Sequence, residues 1–151
     1  MPSDASPPIL DDATLAFYGR IFQAAREGAT DQLTPLLERG LAANLRNDKG
    51  DTLLMLASYH GHADLVSALL TCGADPQMAN DKGQTPLAGA TFKGYMTVVR
   101  ALLDGGAAVD GAGPDGRTAL TYAAMFNRTE ILDLLLARGA DPAATLSLIH
   151  I

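Results

Sequence analysis

The sequence predicts an all-α solenoid, four short helix–turn–helix units stacked in a row and joined by projecting β-turn loops. Three observations carry this. The tetrapeptide NDKG stands at positions 47–50 and again, letter for letter, at 80–83, which is 33 residues later. At the same period Gly50, Gly83 and Gly116 are followed by Thr52, Thr85 and Thr118, then by Leu54, Leu87 and Leu120 and by Ala57, Ala90 and Ala123. Paired leucines follow at Leu69/Leu70, Leu102/Leu103 and Leu135/Leu136, and each copy closes on Gly-Ala. So many coincident positions at one period mark an internal repeat.

Each element has a local cause. Thr52 is placed to cap a helix over Leu53–Tyr59 by accepting a hydrogen bond from its first turn. Gly61 ends that helix, because glycine enters the left-handed region without steric cost. The second helix, about 62–70, carries Leu65, Val66, Leu69 and Leu70 as one apolar stripe, repeated by Val98, Val99, Leu102 and Leu103 and by Ile131, Leu132, Leu135 and Leu136. Gly73 stops it, and the chain extends into a turn containing NDKG, whose Asn, Asp and Gly tolerate tight geometry. Helices of under ten residues are not stable alone. Their stripes must be covered by the next unit, so the units stack.

Composition agrees. Aromatics are 5% and Trp is absent, so the core rests on aliphatic residues. A net charge of −6 offers no basic surplus to displace counterions from nucleic acid. Cys72, the lone cysteine, allows no intrachain disulfide, as suits a reducing compartment. The opening residues lack a basic n-region and a long apolar run, and no stretch approaches the ~20 apolar residues of a membrane span. The expectation is a cytoplasmic monomer that meets other proteins and touches neither membrane nor nucleic acid.

The segments DKGDTLLMLASYHGHADLVSALLTCGAD, DKGQTPLAGATFKGYMTVVRALLDGGAAVD and PDGRTALTYAAMFNRTEILDLLLARGAD resemble the ankyrin repeat family. A degenerate copy, IFQAAREGATDQLTPLLERG, precedes them and keeps Ile21, Ala24, Gly28, Leu36, Leu37 and Gly40. The resemblance implies a tail over 1–13, a repeat domain over 14–145, and repeats at about 14–46, 47–79, 80–112 and 113–145. The short, disulfide-free array suits a bacterial source. The family's Thr-Pro-Leu-His run is intact nowhere, reading TLLM, TPLA and TALT. Asn127 stands where the loop glycine belongs, and Pro35 costs a backbone bond unless it lies in an opening turn. Gln32, where later copies carry Leu65, Val98 and Ile131, suits an end cap with a polar outer face. The last six residues, LSLIHI, translate a transposon end used to attach sequencing adapters, so 146–151 are expected to be non-native and the natural protein longer.

Catalytic chemistry is not found. GAGPDG at 111–116 satisfies G-x-G-x-x-G, yet Pro114 removes an amide and the stretch lies at the seam of two repeats. His60, His62 and Asp64 form the one alternative of another class, a metal or catalytic site, but Gly61-His62 matches the family's ordinary turn and no third strong ligand recurs at zinc spacing. Cys72 falls at the carbonyl end of its helix, where nothing stabilises a nucleophilic anion. No cofactor is expected.

By the resemblance, partner contacts fall on turn residues and on the two residues before the loop glycine. The turn set is Asp48, Lys49 and Asp51, then Asp81, Lys82 and Gln84, then Asp115 and Arg117. The helix set is Arg26/Glu27, Tyr59/His60, Phe92/Lys93 and Met125/Phe126. Tyr59, Phe92 and Met125 hold equivalent places and should form a ladder along the groove, since aromatic anchors dominate protein interfaces. The plainer alternative is that they pad the joints between units, and Met125 is assigned to padding. The turn charges, in turn, can be simply solvated. A binding module for an unidentified protein partner is the leading function; a spacer or regulatory segment of a longer protein is the alternative.

Overall fold

The computed structural model describes residues 11–143; the expected terminal tail over 146–151 lies outside them. Eight helices and no strands occur among the described residues, with one isolated antiparallel bridge between Arg46 and Thr52 at the base of a turn. The first helices of the units are α1 (Asp12–Glu27), α3 (Leu53–Tyr59), α5 (Pro86–Lys93) and α7 (Ala119–Met125). The second helices are α2 (Thr30–Glu38), α4 (Ala63–Thr71), α6 (Met96–Asp104) and α8 (Thr129–Ala137). First helices pack in one row, second helices in another, and each pair packs within its unit.

The caps set the helix ends. Thr52, Thr85 and Thr118 accept from the backbone amides of Met55, Ala88 and Thr121 at 3.0, 3.2 and 3.3 Å. Thr121 stands where the family's histidine is missing, and its hydroxyl reaches that of Thr118 at 3.2 Å. Gly28, Gly61 and Gly94 close the first helices with φ of 73°, 84° and 82°, and Asn127 does the same at 58°. Asp11 caps α1 from outside the expected domain start, and this helix runs about two turns longer than its counterparts.

The stripes turn to the core, with Leu70, Leu103 and Leu132 half-buried against it, but Leu136 of the fourth unit is 42% exposed, contrary to its spacing. Leu65, Val66, Leu69, Val98, Val99, Leu102 and Leu135 are fully buried, and Ile131 nearly so. Burying each such side chain stabilises the row by about 1.5–3 kcal/mol. In α2 the stripe is rotated: Gln32 is exposed, while Leu33 and Leu37 go inside. Pro35 is not in an opening turn. It lies inside α2 and cannot donate to the carbonyl of Asp31, so the first unit carries an irregular second helix.

Two periodic features join the units. Asn44 Oδ1, Gln77 Oε1 and Asp110 Oδ1 accept from the backbone amides of Asp75, Ala108 and Asp141, at 2.8, 2.8 and 2.9 Å. These six residues form three pairs at equivalent places, one at each joint. On the opposite edge, His62 Nε2 bonds the Arg26 carbonyl at 2.7 Å, the Tyr95 ring packs over Gly61, and Arg128 Nε and a terminal nitrogen donate to the Phe92 carbonyl at 3.1 and 2.8 Å.

Candidate functional site

The projecting turns are rigid for a reason legible in their chemistry. Asn47 Oδ1 accepts from the amides of Lys49 and Asp51, both at 2.9 Å, and Asn80 Oδ1 from those of Lys82 and Gln84, both at 3.0 Å. The two NDKG copies are therefore one turn built twice, with asparagine as its organiser. The turns also stack. Asn80 Nδ2 donates to Asp51 Oδ1 at 2.9 Å, the Asp81 amide to the Lys49 carbonyl at 3.2 Å, and Arg46 to the Ala79 carbonyl at 2.8 Å. A side chain at Gly50 would strike Asp81, so glycine is needed there for close approach as well as for its φ of 75°.

Beneath these turns, on the inner side of α3, lies a cavity of about 250 Å³. Seven of the expected residues meet there, among them Lys49, Asp51, Tyr59, His60, Lys82 and Gln84. Arg26, from the helix set of the first unit, completes the wall. Met55, Leu56 and Asn80 line it as well, and the sequence reading did not single them out. Asn80 stands in the repeated NDKG, but its counterpart Asn47 does not line the cavity, so the repeat alone did not mark it. Met55 was concealed by its place in the broken Thr-Pro-Leu-His run.

The remaining expected residues fall elsewhere. Asp48 and Asp81 are exposed at the turn tips, outside this cavity. Lys93 Nζ stands 5.1 Å from the centre of the Tyr59 ring, a cation–π contact across the joint of the second and third units. Tyr59 also packs on Gly89, where an added Cβ would come within 3.5 Å of its ring. Phe92 is half-buried edge-on against Phe126 at 4.8 Å, and Phe126 stacks on Tyr122 at 6.3 Å. Met125 is 47% exposed. Asp115 holds the third turn through the Arg117 amide at 3.0 Å, and the two side chains approach at 3.9 Å.

The electrostatics of the cavity are one-sided. Arg26, Lys49, Lys82 and His60 face it, and its single carboxylate, Asp51, already accepts from Asn80. Among the described residues neither Arg26, Lys49, Lys82 nor Lys93 has a carboxylate partner within ion-pair distance. The His60 imidazole is held below its ordinary pKa, first by loss of water around the ring, then by the positive charges of His62, Arg26 and Lys93; Asp51 opposes them.

No group of three or more His, Cys, Asp or Glu is gathered to hold a metal among the described residues. His62, one of the alternative ligands, spends Nε2 on the Arg26 carbonyl and fills the space above Gly28, where it joins two units. Cys72 is half-buried at the end of α4 against the core. No helix of the described residues is long and apolar enough to cross a membrane.

A family model for ankyrin repeats, spanning three copies, matches residues 21–111 and 60–145. The chain belongs to the ankyrin repeat family, whose repeats mediate protein–protein interaction and are typically non-enzymatic. It is also 56% identical over 59 residues to a Pseudomonas aeruginosa protein named as an ankyrin repeat protein. That match spans 39% of this chain and 34% of the relative.

Proposed function

We propose that this chain is a non-catalytic binding module that holds a partner polypeptide in its concave groove, between the projecting turns and the inner faces of the first helices. The observation that carries this is the cavity under the turns, where residues from three successive units converge on Tyr59 and His60. A rigid, pre-formed surface suits the role, because little ordering cost remains to be met on binding. The hydrogen-bonded turns and the buried stripes supply that rigidity. The module works as a monomer in the reducing cytoplasm, where the single thiol of Cys72 stays free.

The test is recovery of partners from lysate by wild type and by Tyr59→Ala/Phe92→Ala, with thermal unfolding of both measured alongside. Loss of specific partners from a folded double variant supports the groove, where an aromatic anchor is worth ~2 kcal/mol or more. Equal recovery of every partner would refute it.

A further inference from the structure

The proposed groove is unevenly charged along its length, and this specifies what it holds. The protein is acidic, with 17 Asp and Glu against 11 Lys and Arg. Yet Arg26, Lys49 and Lys82 converge on one cavity of about 250 Å³, His60 joins them, and Lys93 stands just beyond on the Tyr59 ring. Concentrating cations without carboxylate partners costs repulsion; at His60, loss of water lowers the pKa first and the charges of His62, Arg26 and Lys93 add to it. In a chain with an excess of acids, pairing these cations internally would have been easy. Three units contribute them without closing an ion pair, Arg26 from α1 and Lys49 and Lys82 from stacked turns, while Asp51 accepts from the Asn80 amide. Toward the C-terminal end the same groove changes character, offering the half-buried Phe92 and the exposed Phe126 and Met125.

Resting on the groove reading above, we infer that the occupant is an extended acidic segment of a protein, with carboxylates seated over Arg26, Lys49 and Lys82 and an apolar side chain against Phe92 and Phe126. Packed helices lie ~8–10 Å apart, and the basic subsite is centred on the second unit while the apolar one lies between the third and fourth, so the two are about one and a half spacings, or ~12–15 Å, apart along the row. An extended chain advances ~3.3 Å per residue, which places the apolar side chain about four positions from the acidic pair. A polyanion such as nucleic acid fits less well. It would carry its charge past the basic cavity into the field of an acidic protein and over an apolar surface.

The inference is tested by fluorescence anisotropy with a labelled peptide bearing two Glu residues and, about four positions away, a Phe. Controls are the same peptide with Lys for Glu, the peptide with Ser for Phe, and a single-stranded oligonucleotide. The acidic peptide should bind, the lysine peptide should not, and the serine peptide should bind about tenfold more weakly. Lys49→Glu/Lys82→Glu should weaken binding at least about tenfold, as should raising the salt to ~1 M, where the Debye length is only ~3 Å. Unchanged thermal unfolding would show that the charge-reversed variant is folded; Lys49→Gln/Lys82→Gln, a milder change, should give an intermediate loss and serves if it is not.

Equal binding of acidic and lysine peptides, tighter binding of the oligonucleotide, or no binding of the acidic peptide would overturn the inference. The groove reading fails separately. If Tyr59→Ala/Phe92→Ala loses its lysate partners while charge reversal retains them, the groove stands and the acidic segment falls.

Discussion

The joint between the second and third units and the joint between the third and fourth do the same mechanical task with different chemistry. The earlier joint is tied on the turn side: Asn80 to Asp51 and the Asp81 amide to Lys49. On its loop side the Tyr95 ring packs over Gly61 and Lys93 stands over the Tyr59 ring. The later joint reverses this. At the loop edge Arg128 grips the Phe92 carbonyl with two nitrogens and Phe92 meets Phe126; at the far ends of the second helices Arg138 pairs with Asp104 at 2.8 Å. Its third turn, with Gly113 in the place of asparagine, makes no side-chain bond to the second turn among the described residues. A repeat therefore conserves the distance between units, set by buried leucines, while the fastening on either edge is free to vary. The basic cavity sits where the turns are fastened, and the aromatic surface where the loops are.

The largest loss is expected where both joints share a part. Leu102→Ala removes a fully buried side chain of the third unit and should cost ~3 kcal/mol in urea unfolding, with the aromatic surface and the cavity weakened together. Gly113→Asn would complete the asparagine turn by sequence logic, yet its Cβ would strike the Gly83 carbonyl, so ~2 kcal/mol should be lost; a gain in stability would break the comparison. Arg128→Ala and Asn80→Ala should each cost about 1.5 kcal/mol but in different places. Amide exchange should accelerate in α7 and α8 for the first and in the stacked turns for the second, and exchange spread evenly over both would show that the edges are not independent.

The smallest effect is a titration. His60 has a folded pKa below its unfolded value near 6.5, so its neutral form favours the fold. Its contribution is complete above that pH and is lost as pH falls from there through the folded value. By NMR, its midpoint should lie below that of an exposed histidine, rise in Lys93→Ala, and fall further in Asp51→Asn.

Much of the fold was legible because it rests on local rules. The threonine caps, the glycine stops, Asn127 in the left-handed region and the leucine stripes each follow from one residue's chemistry. The joints were harder to read. Equivalent positions hold His62, Tyr95 and Arg128, three side chains with no shared chemistry, which share only a neighbour in space. Asn44, Gln77 and Asp110 were not singled out either, although all three offer a side-chain oxygen at a fixed period. The site was legible as a set of positions but not as a charge pattern. Alternating Asp and Lys in NDKG look balanced in the sequence; folding sends Lys49 and Lys82 to the cavity and leaves Asp48 and Asp81 at the tips.

The side-chain oxygens of Asn44, Gln77 and Asp110 have one more consequence. Each block leaves behind it the acceptor that its successor's amide requires, so every seam is chemically self-similar. A duplication or deletion of 33 residues would splice in without orphaning a donor. The array is thus a ruler that evolution can lengthen or trim by whole divisions, changing its reach without redesigning its mortar.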